Sequence, residues 1–183
     1  MAAALELVRG GGRPRSHREG RSTGFQRASF ECRQTIRAPR ARIHAELATP
    51  ERQLGLQPLL VEVHPRADGR GFEAVERVPL VGALAFRNRI QVEVEAFEPP
   101  ARIGLRAHSG SLQVRSEFQL RPSEADAGAT DVLERVELSI PVWWRPLRRF
   151  VLRRAVQAQQ GLLENLRRRM EEPEVAPPCE KTT

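Results

Sequence analysis

The 183-residue sequence has no tyrosine, and phenylalanine and tryptophan together supply only 5% of its residues. A surface that stacks nucleic-acid bases is therefore poorly supplied, because such surfaces consist of aromatic side chains. Two cysteines, Cys32 and Cys179, and four scattered histidines are too few for a disulfide framework or a zinc site. No run of apolar residues approaches the roughly 18 needed for a transmembrane helix. We therefore expect neither a metal nor a cofactor.

Positive charge is concentrated in two segments of the chain. The formal net charge is +7, and Lys181 is the only lysine. Residues 1–27 carry a net charge of +4 and residues 142–170 carry +7, whereas residues 28–141 are nearly neutral at −1. A basic protein often binds nucleic acid, but the long central segment has no basic excess. We therefore expect no nucleic-acid partner.

The composition divides the chain into one patterned domain and two flanking segments. Residues 1–27 contain a run rich in Gly and Arg without an apolar period, which predicts a disordered arm. Residues 172–183 are acidic and Pro-rich and predict a disordered tail, which leaves residues 28–171 as the domain. No secretory signal pattern is present, so we expect a cytoplasmic protein. The Arg-rich arm also fits a mitochondrial transit peptide, and this alternative stays open.

Alternation of apolar and polar residues predicts seven strands. The alternation is clearest in residues 30–36 and 83–96. Residues 68–71 (Asp-Gly-Arg-Gly) and 108–111 (His-Ser-Gly-Ser) predict tight turns, and Val81-Gly82 predicts another. Each strand has one apolar and one charged face, which predicts an antiparallel sheet covered on one side.

Two short helices are predicted after the first strand and one long helix at the end of the domain. Pro39 begins the first, and Thr49-Pro50 begins the second with Thr49 as a hydroxyl cap. From Pro146 to Met170 the apolar period changes to that of a helix. The predicted sheet-facing stripe consists of Leu147, Val151, Ala155, Ala158, Leu162, Leu166 and Met170. Gly161 predicts close packing or a bend, because glycine costs a helix about 1 kcal/mol relative to alanine.

This order of elements comes with several characteristic local sequences. They are Ile36-Arg37-Ala38-Pro39, Ile43, Thr49-Pro50, residues 58–63 (Pro-Leu-Leu-Val-Glu-Val), Gly128-Ala129-Thr130, Leu162, Leu163, Asn165 and Leu166. The combination resembles the helix-grip superfamily of START-like, plant-allergen-like and polyketide cyclase proteins over about residues 28–171. The resemblance implies an α+β fold in which a curved antiparallel sheet wraps around a long C-terminal helix. It also implies a cavity between sheet and helix for a hydrophobic or amphipathic guest, such as a lipid, sterol, polyketide or quinone.

The predicted inner face of the sheet supplies the candidate ligand-binding residues. They are Glu76, Phe86, Asn88, Ile90, Ser116, Phe118 and Glu134. The polar members interrupt an otherwise apolar face, and a buried polar group without a partner costs about 1–3 kcal/mol. Each of them therefore either contacts a guest or finds a partner within the protein.

Three functions are open at this stage. The first is non-enzymatic binding of a hydrophobic small molecule, which is favoured because no tyrosine and no inward His–carboxylate set is available for acid–base catalysis. The second is an enzyme of the cyclase or aromatase type, which a paired and desolvated Glu76 and Glu134 would favour. The third is an adaptor with a closed core. Pairing of either carboxylate with a neighbouring arginine would give it a purely structural role.

Trp143 and Trp144 stand beside a cluster of arginines that begins with Arg145 and Arg148. Such a combination could contact an anionic membrane surface transiently. Alternatively, one tryptophan covers the mouth of the cavity and the arginines form a solvated helix face. The second interpretation is favoured, because the sheet is expected to need the apolar face of this helix.

Overall fold

The sheet and its helices are seen in a computed structural model that describes residues 24–79 and 85–172. The elements in chain order are β1 (Phe25–Ile36), α1 (Arg40–Ala48), β2 (Leu60–Pro65), β3 (Gly71–Pro79), β4 (Ala85–Glu98), β5 (Arg102–Ser109), β6 (Leu112–Pro122), β7 (Thr130–Pro141) and α2 (Arg148–Glu171). Two 3-10 helices cover Pro50–Gln53 and Val142–Leu147. The predicted α+β architecture and its order of elements are confirmed.

All seven strands form one antiparallel sheet in the order β1-β7-β6-β5-β4-β3-β2. Alternate residues of β7, from Val132 to Ile140, are buried against the helical side, and the residues between them face outward. The outward face carries ion pairs between strands, such as Arg106 with Glu95 at 2.6 Å. Arginine and glutamate side chains therefore pair with each other on the solvated face, and the inner face is left largely apolar.

One end of the sheet is closed by α1 and the 3-10 helix that follows it. Ile43 and Leu47 of α1 and Leu56 in the turn beyond the 3-10 helix are completely buried. Side chains join this cap to the rest of the domain, because Thr130 Oγ1 donates to Ala38 O at 2.7 Å and Asn165 Nδ2 donates to Leu56 O at 3.0 Å. The cap therefore fixes the position of the residues that lie between sheet and α2.

Thr49 differs in detail from its prediction as a hydroxyl cap. Its Oγ1 donates a hydrogen bond of 2.7 Å back to Ala45 O of α1, and the 3-10 helix has no side-chain cap. A residue at the junction of two helices can bond to either one, and here the hydroxyl of Thr49 adds a second hydrogen bond to the Ala45 carbonyl, which already accepts from the Thr49 backbone N–H at 3.2 Å.

The long helix α2 packs on the sheet mainly through its C-terminal half. Leu162, Leu166 and Met170 of the predicted stripe are buried, together with Gln159 and Leu163. Leu147 belongs to the preceding 3-10 helix and is 55% exposed, so its assignment to the stripe was wrong. The helix begins at Arg148, and the turn before it rotates Leu147 out of the helical phase.

Gly161 lies where α2 comes close to the turn before β2. A Cβ atom added at Gly161 would lie 2.7 Å from Cγ of Pro58, which is closer than such atoms approach in proteins. The prediction of close packing at this glycine agrees with that contact.

One strand boundary differs from the sequence prediction. Strand β1 begins at Phe25, which pairs with Pro141, so the sheet starts within the segment predicted as an arm. Pro99 and Pro100 end β4 as expected, after Glu98. The predicted turn at Val81-Gly82 lies outside the described residues, as do residues 1–23 and 173–183.

Candidate functional site

A cavity of about 100 Å³ lies between the inner face of the sheet and α2. Its apolar wall consists of Leu60, Phe72, Ile90, Val92, Leu105, Ala107, Val114, Phe118 and Leu162. Its polar lining consists of Gln53, Gln57, Glu76, Ser116 and Gln159. The combination of an apolar wall with a few polar groups is typical of sites for small organic molecules.

Glu76 places a carboxyl group on the cavity wall. It lies opposite Asn88 in the β3–β4 register, and Asn88 Nδ2 donates to Glu76 Oε2 at 3.1 Å. The hydroxyl of Ser109 donates in turn to Asn88 Oδ1 at 2.9 Å. Desolvation raises the pKa of Glu76, and the hydrogen bond from Asn88 offsets part of that rise. The carboxyl is thus held in one position by its own strand neighbours.

Asn88 itself does not line the cavity. Its amide nitrogen donates to Glu76, and its oxygen accepts from Ser109, so its polar atoms are occupied within the protein. Asn88 therefore acts on the cavity through Glu76, as a positioning residue.

Three glutamines form a polar end of the cavity that sequence reasoning missed. Gln57 Nε2 donates to Gln159 Oε1 at 3.3 Å, and Gln53 Nε2 donates to Leu47 O at 2.6 Å. Gln53 is only 1% exposed. Glutamines in a 3-10 helix and a turn look like surface residues, so their positions gave no signal. Gln159 could have been found, because it stands three residues before Leu162 on the buried face of α2.

Glu134 is the most completely buried carboxyl group among the described residues. It is 0% exposed and faces Cys32 on β1 and Phe118 on β6 in the strand register. Within the described part of the chain, neither of its oxygens has a hydrogen-bond partner. Desolvation raises its pKa to about 8, and the nearby hydroxyl of Ser116 opposes that rise slightly. Burial and the neighbouring Glu134 also raise the pKa of Cys32 to about 11. At neutral pH, Glu134 is consequently a largely neutral carboxylic acid.

Glu76 and Glu134 do not form the pair that would favour an enzyme. Both face inward and both are desolvated, but β4, β5 and β6 separate their strands. Glu76 lines the cavity, whereas Glu134 lies beside two of its lining residues, Ser116 and Phe118. Among the residues that the structure describes, neither carboxylate pairs with an arginine. The neighbouring arginines are paired elsewhere, Arg87 with Glu62 and Arg135 with Glu31 on the outer face.

The remaining candidate residues divide into two groups. Ile90, Ser116 and Phe118 line the cavity together with Glu76. Phe86 does not, and it is 55% exposed near the start of β4. The alternation placed Phe86 on the correct face, but that face is open to solvent at this end of the strand.

Within residues 24–79 and 85–172, no three His, Cys, Asp or Glu side chains are close enough together to hold a metal ion. None of the helices described there combines the length and apolar character needed to cross a bilayer.

Comparison with known proteins identifies the architecture. No protein-family model and no curated protein matches the sequence, but solved structures match it over most of its length. A conserved protein from Geobacillus kaustophilus superposes with a TM-score of 0.63 at 9% identity, covering 78% of this chain and 95% of its own. Ara h 8.0201 superposes with a TM-score of 0.60 at 15% identity, covering 79% and 98%. The chain has the helix-grip fold.

An enzyme with a bound ligand is also among the matches to this helix-grip domain. A point mutant of norcoclaurine synthase from Thalictrum flavum, in complex with a transition-state analogue, superposes with a TM-score of 0.58 at 10% identity. The match covers 82% of this chain and 100% of the synthase. At such low identity the likeness establishes the fold and leaves the activity to be argued from the site.

Proposed function

We propose that this helix-grip domain binds a small hydrophobic or amphipathic molecule between the sheet and α2. The observation that carries the proposal is an apolar cavity into which one oriented carboxyl group, Glu76, projects. The apolar wall would hold the body of the guest by excluding water. Glu76 and the three glutamines would hydrogen-bond a polar end of the guest, such as a hydroxyl or an amide.

The size of the cavity limits how the guest is held. About 100 Å³ is well below the ~300–1,000 Å³ of typical small-molecule sites. A guest of ordinary size would therefore need α2 to move away from the sheet, or would extend into an open groove of about 860 Å³ that Val114, Leu138 and Leu152 line. The N-terminal half of α2 is suited to such movement, because Val151, Leu152 and Ala155 are only partly buried against β7.

The solved complex of norcoclaurine synthase supports the proposal by analogy of fold. That protein, which has the same architecture, holds a transition-state analogue. The analogy supports only the general kind of partner, a small molecule. That the guest is a lipid, sterol, polyketide or quinone is part of our proposal and does not follow from the analogy.

Titration with the neutral fluorescent probe N-phenylnaphthylamine tests the proposal. We expect the probe to bind the full chain at one saturable site, from which alcohols displace it. In Glu76→Gln the alcohols should bind this site more weakly, since the amide is a poorer hydrogen-bond acceptor than the carboxylate. Glu73→Gln is the matched control, because Glu73 lies on the same strand, is exposed and faces away from the cavity. Absence of any saturable site would support the closed adaptor instead.

A second candidate function is proton transfer by an enzyme of the cyclase or aromatase type. The observation that favours it is the buried carboxyl of Glu134, whose pKa of about 8 suits a general acid or base near neutral pH. Native mass spectrometry of the purified protein would identify a co-purified guest. Recovery of that guest unchanged after incubation supports binding alone, and its conversion by the wild type but not by Glu134→Gln supports catalysis.

A further inference from the structure

Apolar side chains are exposed where β7 passes into α2. Val142, Trp143, Leu147 and Phe150 are 45%, 71%, 55% and 47% exposed, respectively. The sequence favoured a role for this segment in covering the cavity, but none of these four residues lines it. Phe25 adds to the same region, because it pairs with Pro141 and is also exposed.

Trp143 is held outward by its neighbour. Trp144 packs against the cluster of Val136, Leu138 and Ile140 at the end of the sheet. The rings of Trp143 and Trp144 meet edge to face, with centroids 5.3 Å apart and an angle of 82° between their planes. The packed tryptophan therefore supports the exposed one in a fixed position.

Four exposed arginines lie beside these apolar residues without any carboxylate among them. They are Arg145, Arg149, Arg153 and Arg154, and the sequence contains no acidic residue between Glu137 and Glu164. Arg148, which the sequence placed in the same cluster, is half-buried and lines a groove on the side of α2 that carries Leu152 and Val156. In the described part of the chain, none of the four exposed arginines forms an ion pair. Arg154 instead lies over the ring of Phe150, at 5.4 Å from its centroid. The outer face of the sheet behaves differently, since many of its arginines are paired with glutamates.

We propose that this Trp–Arg surface, formed by Val142, Trp143, Leu147, Phe150 and the four exposed arginines, docks on an anionic lipid bilayer. Aromatic and aliphatic side chains flanked by arginines match the boundary between lipid headgroups and acyl chains. Each arginine near such a surface contributes about 1 kcal/mol to binding. The proposal goes beyond guest binding and does not depend on it.

Other occupants fit the surface less well. A second copy of the chain would bring two clusters of four arginines together across a symmetric interface, where they repel. Nucleic acid would use the arginines but not Val142 and Leu147. The acidic segment 173–183 follows the opposite end of α2 in the sequence. To reach this surface it would have to run back along the helix, whose 24 residues span about 36 Å.

Vesicle flotation of the full chain tests the proposal. We expect the protein to float with vesicles in which about a third of the lipid is phosphatidylserine and to remain behind with phosphatidylcholine alone, with binding weakened by salt. The double variant Arg149→Glu/Arg153→Glu should bind at least about 25-fold more weakly, since two arginines contribute about 2 kcal/mol. Trp143→Ala should also bind the vesicles more weakly. It should lose the blue shift of tryptophan emission on binding, because the remaining Trp144 is already packed against the sheet.

Matched controls lie elsewhere on the surface. Arg89→Glu changes an exposed arginine on the outer face of β4, and Leu54→Ala removes an exposed apolar side chain near α1. Both should float like the wild type. Failure of the full chain to float, or equal losses in the control and test variants, would overturn the proposal. So would a dimer in sedimentation that Trp143→Ala dissociates, or tight RNA binding without flotation.

Discussion

Asn88 and Glu76 are joined across β3 and β4 by a hydrogen bond of 3.1 Å from the amide nitrogen of Asn88 to the carboxylate of Glu76. Asn88 lies on the same face of the sheet as Glu76 but is not among the residues that line the cavity, whereas Glu76 is. The two residues thus have different roles, which the sequence could not distinguish. Asn88 positions the carboxylate, and Glu76 is available to bind a guest.

Replacing Asn88 by Ala should lower the free energy of unfolding by about 1–2 kcal/mol, because Glu76 and Ser109 lose their partner. Chemical denaturation of Asn88→Ala, Glu76→Gln and the double variant measures how strongly the two residues are coupled. Strictly additive losses would mean that the hydrogen bond does not hold Glu76 in place.

Glu134 should make the stability of the protein fall as the pH rises. Its pKa of about 8 in the folded state exceeds the ordinary value of 4.5. Below pH 4.5 both states hold the proton, and between 4.5 and about 8 only the folded state holds it. The free energy of unfolding should therefore fall by about 1.4 kcal/mol per pH unit from this group and level off above its folded pKa.

Denaturation of the wild type and Glu134→Gln at several pH values isolates this contribution. The free energy of unfolding of Glu134→Gln should rise relative to that of the wild type between pH 5 and pH 8, because glutamine does not titrate. Glu137→Gln on the same strand, exposed and facing outward, is the control. A constant difference between wild type and Glu134→Gln across this range would contradict the desolvation of Glu134.

Gly161→Ala should fail to give the stabilisation of about 1 kcal/mol that alanine normally gives a helix. The new methyl group would meet Pro58 Cγ at 2.7 Å. In a Pro58→Ala background that atom is gone, so the same substitution should be favourable. Thermal denaturation of the four proteins of this cycle measures the effect, and an equal gain in both backgrounds would show that the close approach is absent.

Leu162→Asp should unfold or aggregate the protein, because Leu162 is 1% exposed on the buried face of α2 and a carboxylate there has no partner. Arg153→Asp should change the free energy of unfolding by less than about 0.5 kcal/mol, since Arg153 is exposed. Circular dichroism and melting temperature distinguish the two. Similar behaviour of both variants would mean that the helical phase is wrong.

Most of the fold prediction and part of the site prediction rest on the alternation of apolar and polar residues along the strands. A period of two identifies which residues share a face, and it placed Glu76, Ile90, Ser116 and Phe118 on the face that lines the cavity. It does not say how far a helix covers that face, so it could not distinguish exposed Phe86 from buried Ile90.

The rest of the site depends on contacts that no local pattern encodes. Gln57 and Gln159 meet across 102 positions of sequence. Leu147 fits the apolar period of α2 but belongs to a different helix, and its exposure creates the Trp–Arg surface. Such features follow from tertiary packing, which single-sequence patterns do not record.

Occupation of the cavity by a guest is tested most directly by titrating N-phenylnaphthylamine into Ala107→Phe and His108→Phe. Ala107 lines the cavity, and its neighbour His108 on β5 faces the other side of the sheet. We predict that Ala107→Phe weakens the single saturable site at least about tenfold while its circular dichroism stays that of the wild type, since the added ring fills the space. His108→Phe should bind the probe as the wild type does. Equal affinity of both folded variants and the wild type would contradict binding between the sheet and α2.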